Sequence, residues 1–181
     1  LSKELEEANK FRRELDAEIL EEALSILEND PFYRTSMSTV VYHPTWNKGV
    51  VGIVASRLIE NHFKPTIVLT ESEDGILSGS ARSINTFNIY DALDKCSEHL
   101  IQFGGHQFAA GMTLKKENFE AFRTKFDEVC KSILAPSELI PIEIVDIELG
   151  LNEIFESDEA RNKVPKFKRI LAQMEPHGPG N

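Results

Sequence analysis

Cysteine is scarce in this chain: Cys96 and Cys130 are the only two among 181 residues. Two cysteines cannot build a disulfide framework, and these lack the spacing of metal ligands. Both read as reduced, partly buried thiols of a cytoplasmic protein. Long apolar runs are missing as well. None approaches the roughly 20 residues that span a bilayer, so no membrane partner is expected. The charged N-terminal pattern is not that of a signal peptide. Positive charge is in short supply, with 20 Lys and Arg against 30 Asp and Glu and a net charge of −10. That balance excludes a general basic coat for nucleic acid. The five histidines, His43, His62, His99, His106 and His177, are scattered, and none has the close spacing of a metal cluster. Internal repeats and low-complexity tracts are absent.

What is present is ordinary globular material. The chain is 41 % hydrophobic, enough for one good core. It starts at Leu1 rather than methionine, which points to an excised piece of a longer protein. The acidity is uneven. Residues 1–30 hold four basic and ten acidic side chains, a balance of −6. Residues 36–112 hold five and seven, a balance of only −2, and residues 135–181 hold five and nine. A nearly neutral central surface with a few placed donors can still grip phosphates, weakly and with strong salt dependence.

The pattern divides into segments. Leu1, Leu5, Ala8, Phe11, Leu15, Ile19, Ala23 and Ile26 recur at helical steps. They predict one amphipathic helix over 2–29, ended by Asn29-Asp30-Pro31. Strands are expected at 38–43, 65–70, 76–82 and 112–114, and helices at 49–61, 89–100 and 116–134. The last helix should turn Phe119, Phe122, Phe126, Val129 and Ile133 inward. Alternating strands and helices predict an α/β fold: a mixed β-sheet with flanking helices. Residues 141–149 alternate like a half-exposed strand, and a short helix is expected over 159–174. The acidic run Glu71-Ser72-Glu73-Asp74 reads as a loop. The domain reading is a connector helix at 1–30, an α/β domain at 31–135 and a further segment at 136–181.

Two motifs carry chemistry. Residues 104–111 read Gly-Gly-His-Gln-Phe-Ala-Ala-Gly. Adjacent glycines allow a sharp turn whose N–H groups form an anion site, with His106 as a titratable donor at its rim. A plain turn capped by His106 is the competing account. Residues 78–83 read Ser-Gly-Ser-Ala-Arg-Ser. The Arg82 guanidinium matches a phosphate bidentately, and the flanking hydroxyls add donors. A surface arginine paired with a carboxylate is the alternative there. Together the two motifs favour an anionic substrate.

Four blocks carry a resemblance to a known family. They are Trp46-Asn47-Lys48-Gly49 through Arg57; Gly79-Ser80-Ala81-Arg82-Ser83 with the segment Phe87–Leu93; Phe103-Gly104-Gly105-His106 with Ala109-Ala110-Gly111; and the terminal Glu175–Asn181. On these blocks the chain resembles the RecJ-type single-strand-specific DNA exonucleases of the DHH phosphoesterase superfamily, over nearly its whole length. It departs at Asn47, where the family often has histidine, and at His177, where phenylalanine is usual.

The resemblance implies a DHH-associated domain, preceded by the interlobe linker helix and followed by the start of an oligonucleotide-binding fold. It implies a 5′-to-3′ exonuclease acting in DNA repair and recombination. Its partners would be single-stranded DNA and a single-strand-binding protein or helicase. Its two metals, Mn2+ or Mg2+, sit in a preceding lobe with an Asp-His-His motif that this chain lacks. This piece alone is expected to be inactive and to bind no metal. On this reading Arg82, Ser80 and Ser83 hold a backbone phosphate, Gly104 and Gly105 present backbone donors, and His106 is catalytic at the scissile phosphate. Asn88 contacts a nucleotide or caps a helix, and Trp46 stacks on a base or anchors the core. The alternatives are an oligonucleotide or cyclic-dinucleotide phosphodiesterase of the same superfamily, and a non-catalytic nucleic-acid-binding module.

Overall fold

The computed structural model describes residues 2–142, 148, 150 and 166–175. They fall into two compact units, Leu1–Pro141 and Ile142–Asn181. The first carries α1 (Ser2–Asn29), β1 (Thr39–Tyr42), α2 (Val51–His62), β2 (Thr66–Glu73) and β3 (Ile76–Arg82). It continues with α3 (Ile89–Asp94), β4 (Gln102–His106), β5 (Ala109–Lys115) and α4 (Phe119–Ile133). The described part of the second unit contains one helix, α5 (Lys166–Gln173). Most of the strand expected at 141–149, the start of the helix expected at 159–174 and the end of the terminal block lie outside the described residues.

The sheet has the order β1-β2-β3-β5-β4. β1 and β2 are parallel across the α2 crossover, and the remaining pairs are antiparallel. A mixed sheet with flanking helices is therefore what forms. Its two faces follow from the period of two along each strand. Val40, Ile67, Leu69, Leu77, Ala81, Met112 and Leu114 point to a core built with α3 and α4. Val41 and Val68 point the other way, to a second core built with α1 and α2.

Charged contacts lock these layers. Asp127 on α4 is 3 % exposed. Its Oδ1 accepts from the N–H groups of Met37 and Ser38 and the Ser38 hydroxyl, and Lys131 pairs with its other oxygen at 2.7 Å. Arg57 of α2 meets the buried Asp16 of α1 at 2.9 Å. Arg123 pairs with Asp30 and lies over the ring of Phe32.

Several expectations need correction. Gly104-Gly105 is not the turn but part of β4; the turn falls at Gln107-Phe108. Of the Glu71–Asp74 run only Asp74 lies in the turn, with Gly75 at φ 74°, because β2 continues to Glu73. The helix expected over 89–100 stops at Asp94. The Cys96 N–H bonds back to the Leu93 carbonyl, and a single tighter turn over Ser97–His99 follows. Ile133, at the last turn of α4, is 43 % exposed rather than inward. Along α1 only the C-terminal half packs, through Ile19, Ala23 and Leu27, while Leu5 and Phe11 are exposed. Helical periodicity marks which face is apolar but not how far a partner extends along it.

Candidate functional site

Among the described residues nothing packs over one half of one sheet face. α2 packs over β2 and β3. The same face of β5 and β4 presents Gly111, Gln102, Gly104 and His106 as exposed residues. Pairing arranges this surface in three rows. Arg82, Ala109 and His106 form the first, Ser80, Gly111 and Gly104 the second, and Ser78, Thr113 and Gln102 the third. Strands lie about 4.8 Å apart, so Arg82 and His106 stand roughly 10 Å apart at the backbone, with only a methyl group between them.

Arg82 is held in place by its own strand. Its Nη1 donates to the Ser80 Oγ and the Ala81 carbonyl, each at 2.8 Å. It makes no ion pair among the described residues. The alternative of a carboxylate partner is therefore not met among the described residues. Gly52 of α2 sets the room available. A Cβ there would stand 2.8 Å from Arg82 Nη2 and 3.1 Å from Ser80 Oγ. Gly52 lies inside one of the four sequence blocks but had no assigned role; its signal was a glycine within a helical pattern.

The two glycines of β4 differ in what they do. Gly105 adopts φ 153°, and a Cβ on it would collide with the Ala109 carbonyl and the Ala110 backbone. Nothing lies within 4 Å of where a Cβ of Gly104 would sit. Gly105 is thus needed by the fold, whereas Gly104 keeps the floor bare. β4 is also an edge strand, so alternate backbone N–H groups along it have no strand partner.

His106 is exposed, and its Nδ1 accepts the Phe108 N–H at 3.3 Å. That bond places the proton of the neutral ring on Nε2, which has no partner among the described residues. The ring can donate to an anion from this position.

Three expected contacts are not brought to this face. The Ser83 hydroxyl donates to the Phe87 carbonyl, and its N–H to the Phe108 carbonyl. Its proton is committed to the loop rather than to a ligand. Asn88 caps α3: its Oδ1 accepts the Tyr90 and Asp91 N–H groups at 3.1 and 3.3 Å. Trp46 is 4 % exposed and donates its indole N–H to Glu22 on α1 at 2.7 Å. It anchors the loop to the helix instead of offering a stacking surface. Both cysteines are buried, and burial pushes the Cys96 thiol up to about 12. Neither serves as a nucleophile. Among the described residues no group of three His, Cys, Asp or Glu could hold a metal ion.

Known proteins resemble this chain over most of its length. The RecJ single-stranded-DNA-specific exonuclease of Bacillus subtilis is 39 % identical over 155 residues, 85 % of this chain and 20 % of that protein. The Escherichia coli RecJ is 37 % identical over 145 residues, 77 % of this chain and 25 % of that protein. A crystal structure of Thermus thermophilus RecJ in complex with Mn2+ superposes with a TM-score of 0.76 at 27 % identity, covering 98 % of this chain and 24 % of that one. The chain thus spans about a fifth to a quarter of the length of these relatives. A family model described as the DHHA1 domain matches residues 35–132, which take in all five strands and all three rows. The chain belongs to the DHHA1 domain family.

Proposed function

We propose that this chain is the substrate-gripping part of a single-stranded-DNA-specific exonuclease, with the chemistry carried out by a metal-bearing lobe outside it. The observation that carries this reading is the open half-face of β4 and β5, where His106 stands across the bare Gly104 and Gly111 floor from Arg82 and Ser80 at the border of the α2-covered half. Arg82 and Ser80 take a backbone phosphate. The β4 edge supplies backbone donors beside Gly104 and Gly105, and His106 contacts the phosphate at or next to the scissile bond. Mn2+ or Mg2+ is held by the preceding lobe of the intact enzyme, a reading supported by the likeness to RecJ solved with Mn2+.

The wider reading extends the activity to 5′-to-3′ digestion in DNA repair and recombination, in the cytoplasm, beside a single-strand-binding protein or a helicase. It rests on the likeness to the RecJ exonucleases, and residues 136–181 are assigned to the start of an oligonucleotide-binding fold. The test is binding of labelled single-stranded DNA, with duplex as control, across a salt series. The chain should bind single strands weakly and salt-sensitively. Arg82→Ala/His106→Ala should lose that binding while keeping the same thermal transition. Equal binding by the double variant would remove the grip from these motifs.

A further inference from the structure

The open face does not end at the Arg82 row. Four residues along β3, at about 3.3 Å each, Ser78 lies roughly 13 Å from Arg82. It stands beside Thr113 and Gln102 in the third row. Ser78 is 2 % exposed, and its Oγ has no hydrogen-bond partner among the described residues. The Thr113 Oγ1 is likewise buried and unpartnered. Buried hydroxyls nearly always have a partner, so two neighbouring exceptions call for one. Both line a groove of about 390 Å³ whose floor is Gly104 and Gly111 and whose lining includes Gln102 and Lys48. Lys48 is exposed and makes no ion pair among the described residues.

We propose that this groove is a second phosphate subsite, in which Lys48 supplies the charge and Ser78, Thr113 and Gln102 supply hydrogen bonds. The assignment rests on the reading of the Arg82 row as the first phosphate grip. The Arg82 fork is tied to Ser80 at 2.8 Å, so the two grips stand roughly 7 Å apart along β3, room for two phosphates each within about 3 Å of its own donors. The ligand that fills the face is therefore an oligonucleotide lying along the glycine floor, and a mononucleotide fills only part of it. The track ends at Lys48. Beyond it an adjoining hollow is lined by Glu71 and Glu73, which repel a further phosphate.

The experiment measures binding of 5′-phosphorylated oligothymidylates of one to six nucleotides to the full chain across a salt series. The variants are Lys48→Ala, Lys48→Arg, Ser78→Ala/Thr113→Val and Arg82→Ala, each checked for an unchanged thermal transition. Arg82→Ala should lose binding at every length. Lys48→Ala should leave the mononucleotide unaffected and weaken the longer oligomers about tenfold. Its salt slope should fall by roughly 0.7, the loss of one phosphate contact on a single strand. Lys48→Arg should restore both, and the hydroxyl pair should weaken only the longer oligomers. If Lys48→Ala matches the unaltered chain at every length while Arg82→Ala fails, the subsite is wrong and the first grip stands. Equal weakening of mononucleotide and oligomer also overturns the subsite, because Lys48 then acts only as a diffuse charge. If the unaltered chain binds none of the probes, or Arg82→Ala binds them as well as it does, the underlying reading falls and takes the subsite with it.

Discussion

The Gly104-Gly105 pair divides into a residue the fold requires and a residue that leaves the floor of the proposed ligand site bare. Gly105→Ala puts a methyl group into the Ala109 carbonyl and should cost about 2 kcal/mol or more. Gly104→Ala meets open space and should leave stability unchanged or raise it by up to about 1 kcal/mol. Its methyl group nevertheless stands on the floor of the groove and should weaken single-strand binding. Urea unfolding and a binding titration on the two variants check this. The same order of stability and of binding in both would defeat the distinction. The glycine-histidine motif stood out in the sequence, but its geometry did not. Two glycines announce freedom of the backbone, and only pairing with β5 made that freedom a strand with a bare face. Asn88 and Trp46 take the structural alternatives that the sequence offered, a helix cap and a core anchor, and Ser83 turns its hydroxyl to the Phe87 carbonyl. Each carries a group suited to nucleic acid, and each spends that group on a neighbour.

Between elements, the joints are polar and specific. Asp127 holds the start of β1 against α4 through three hydrogen bonds to Oδ1. Asp127→Ala strands buried donors and should cost about 3 kcal/mol in urea unfolding. Asp127→Asn keeps one acceptor oxygen and should cost less. The β2–β3 hairpin has its own latch at Glu71. The Lys116 ammonium, the Gly75 N–H and the Tyr42 hydroxyl hold this carboxyl below its ordinary 4.5. The unfolded chain therefore takes up this proton at a higher pH than the folded one. Stability from this group is complete above about 4.5 and is lost as pH falls through the lower folded value. Glu71→Gln should flatten that part of the acid limb in a pH series of thermal melts, and an unchanged limb would show that the latch contributes nothing. The helices and strands themselves were largely legible, since 3.6- and 2-residue periods are local properties. Their ends were less so. α3 stops early in a backbone bond from Cys96 to Leu93, and β2 runs through acidic residues that composition assigns to a loop.

At the scale of the whole molecule, the unit Leu1–Pro141 contains both cores and the whole open face. A chain cut after Pro141 should keep one cooperative thermal transition and the same Arg82-dependent binding of single strands. A lost or broadened transition would show that the unit leans on residues 142–181. The order of residues was enough for the mixed α/β architecture, the two motifs with phosphate-suited donors and the family to which their succession belongs. Periodicity and motif spacing are properties of neighbouring residues, so they are visible in one dimension. Which donors face the same space was settled in three dimensions. α2 covers β2 and β3 and leaves β5 and β4 open, which exposes Gly104 and His106 while Trp46 is buried against Glu22. The fold also carries Lys48 from a loop to the rim of a groove floored by residues more than 50 positions away. Coverage of a sheet face depends on where distant elements cross, and no local pattern encodes that.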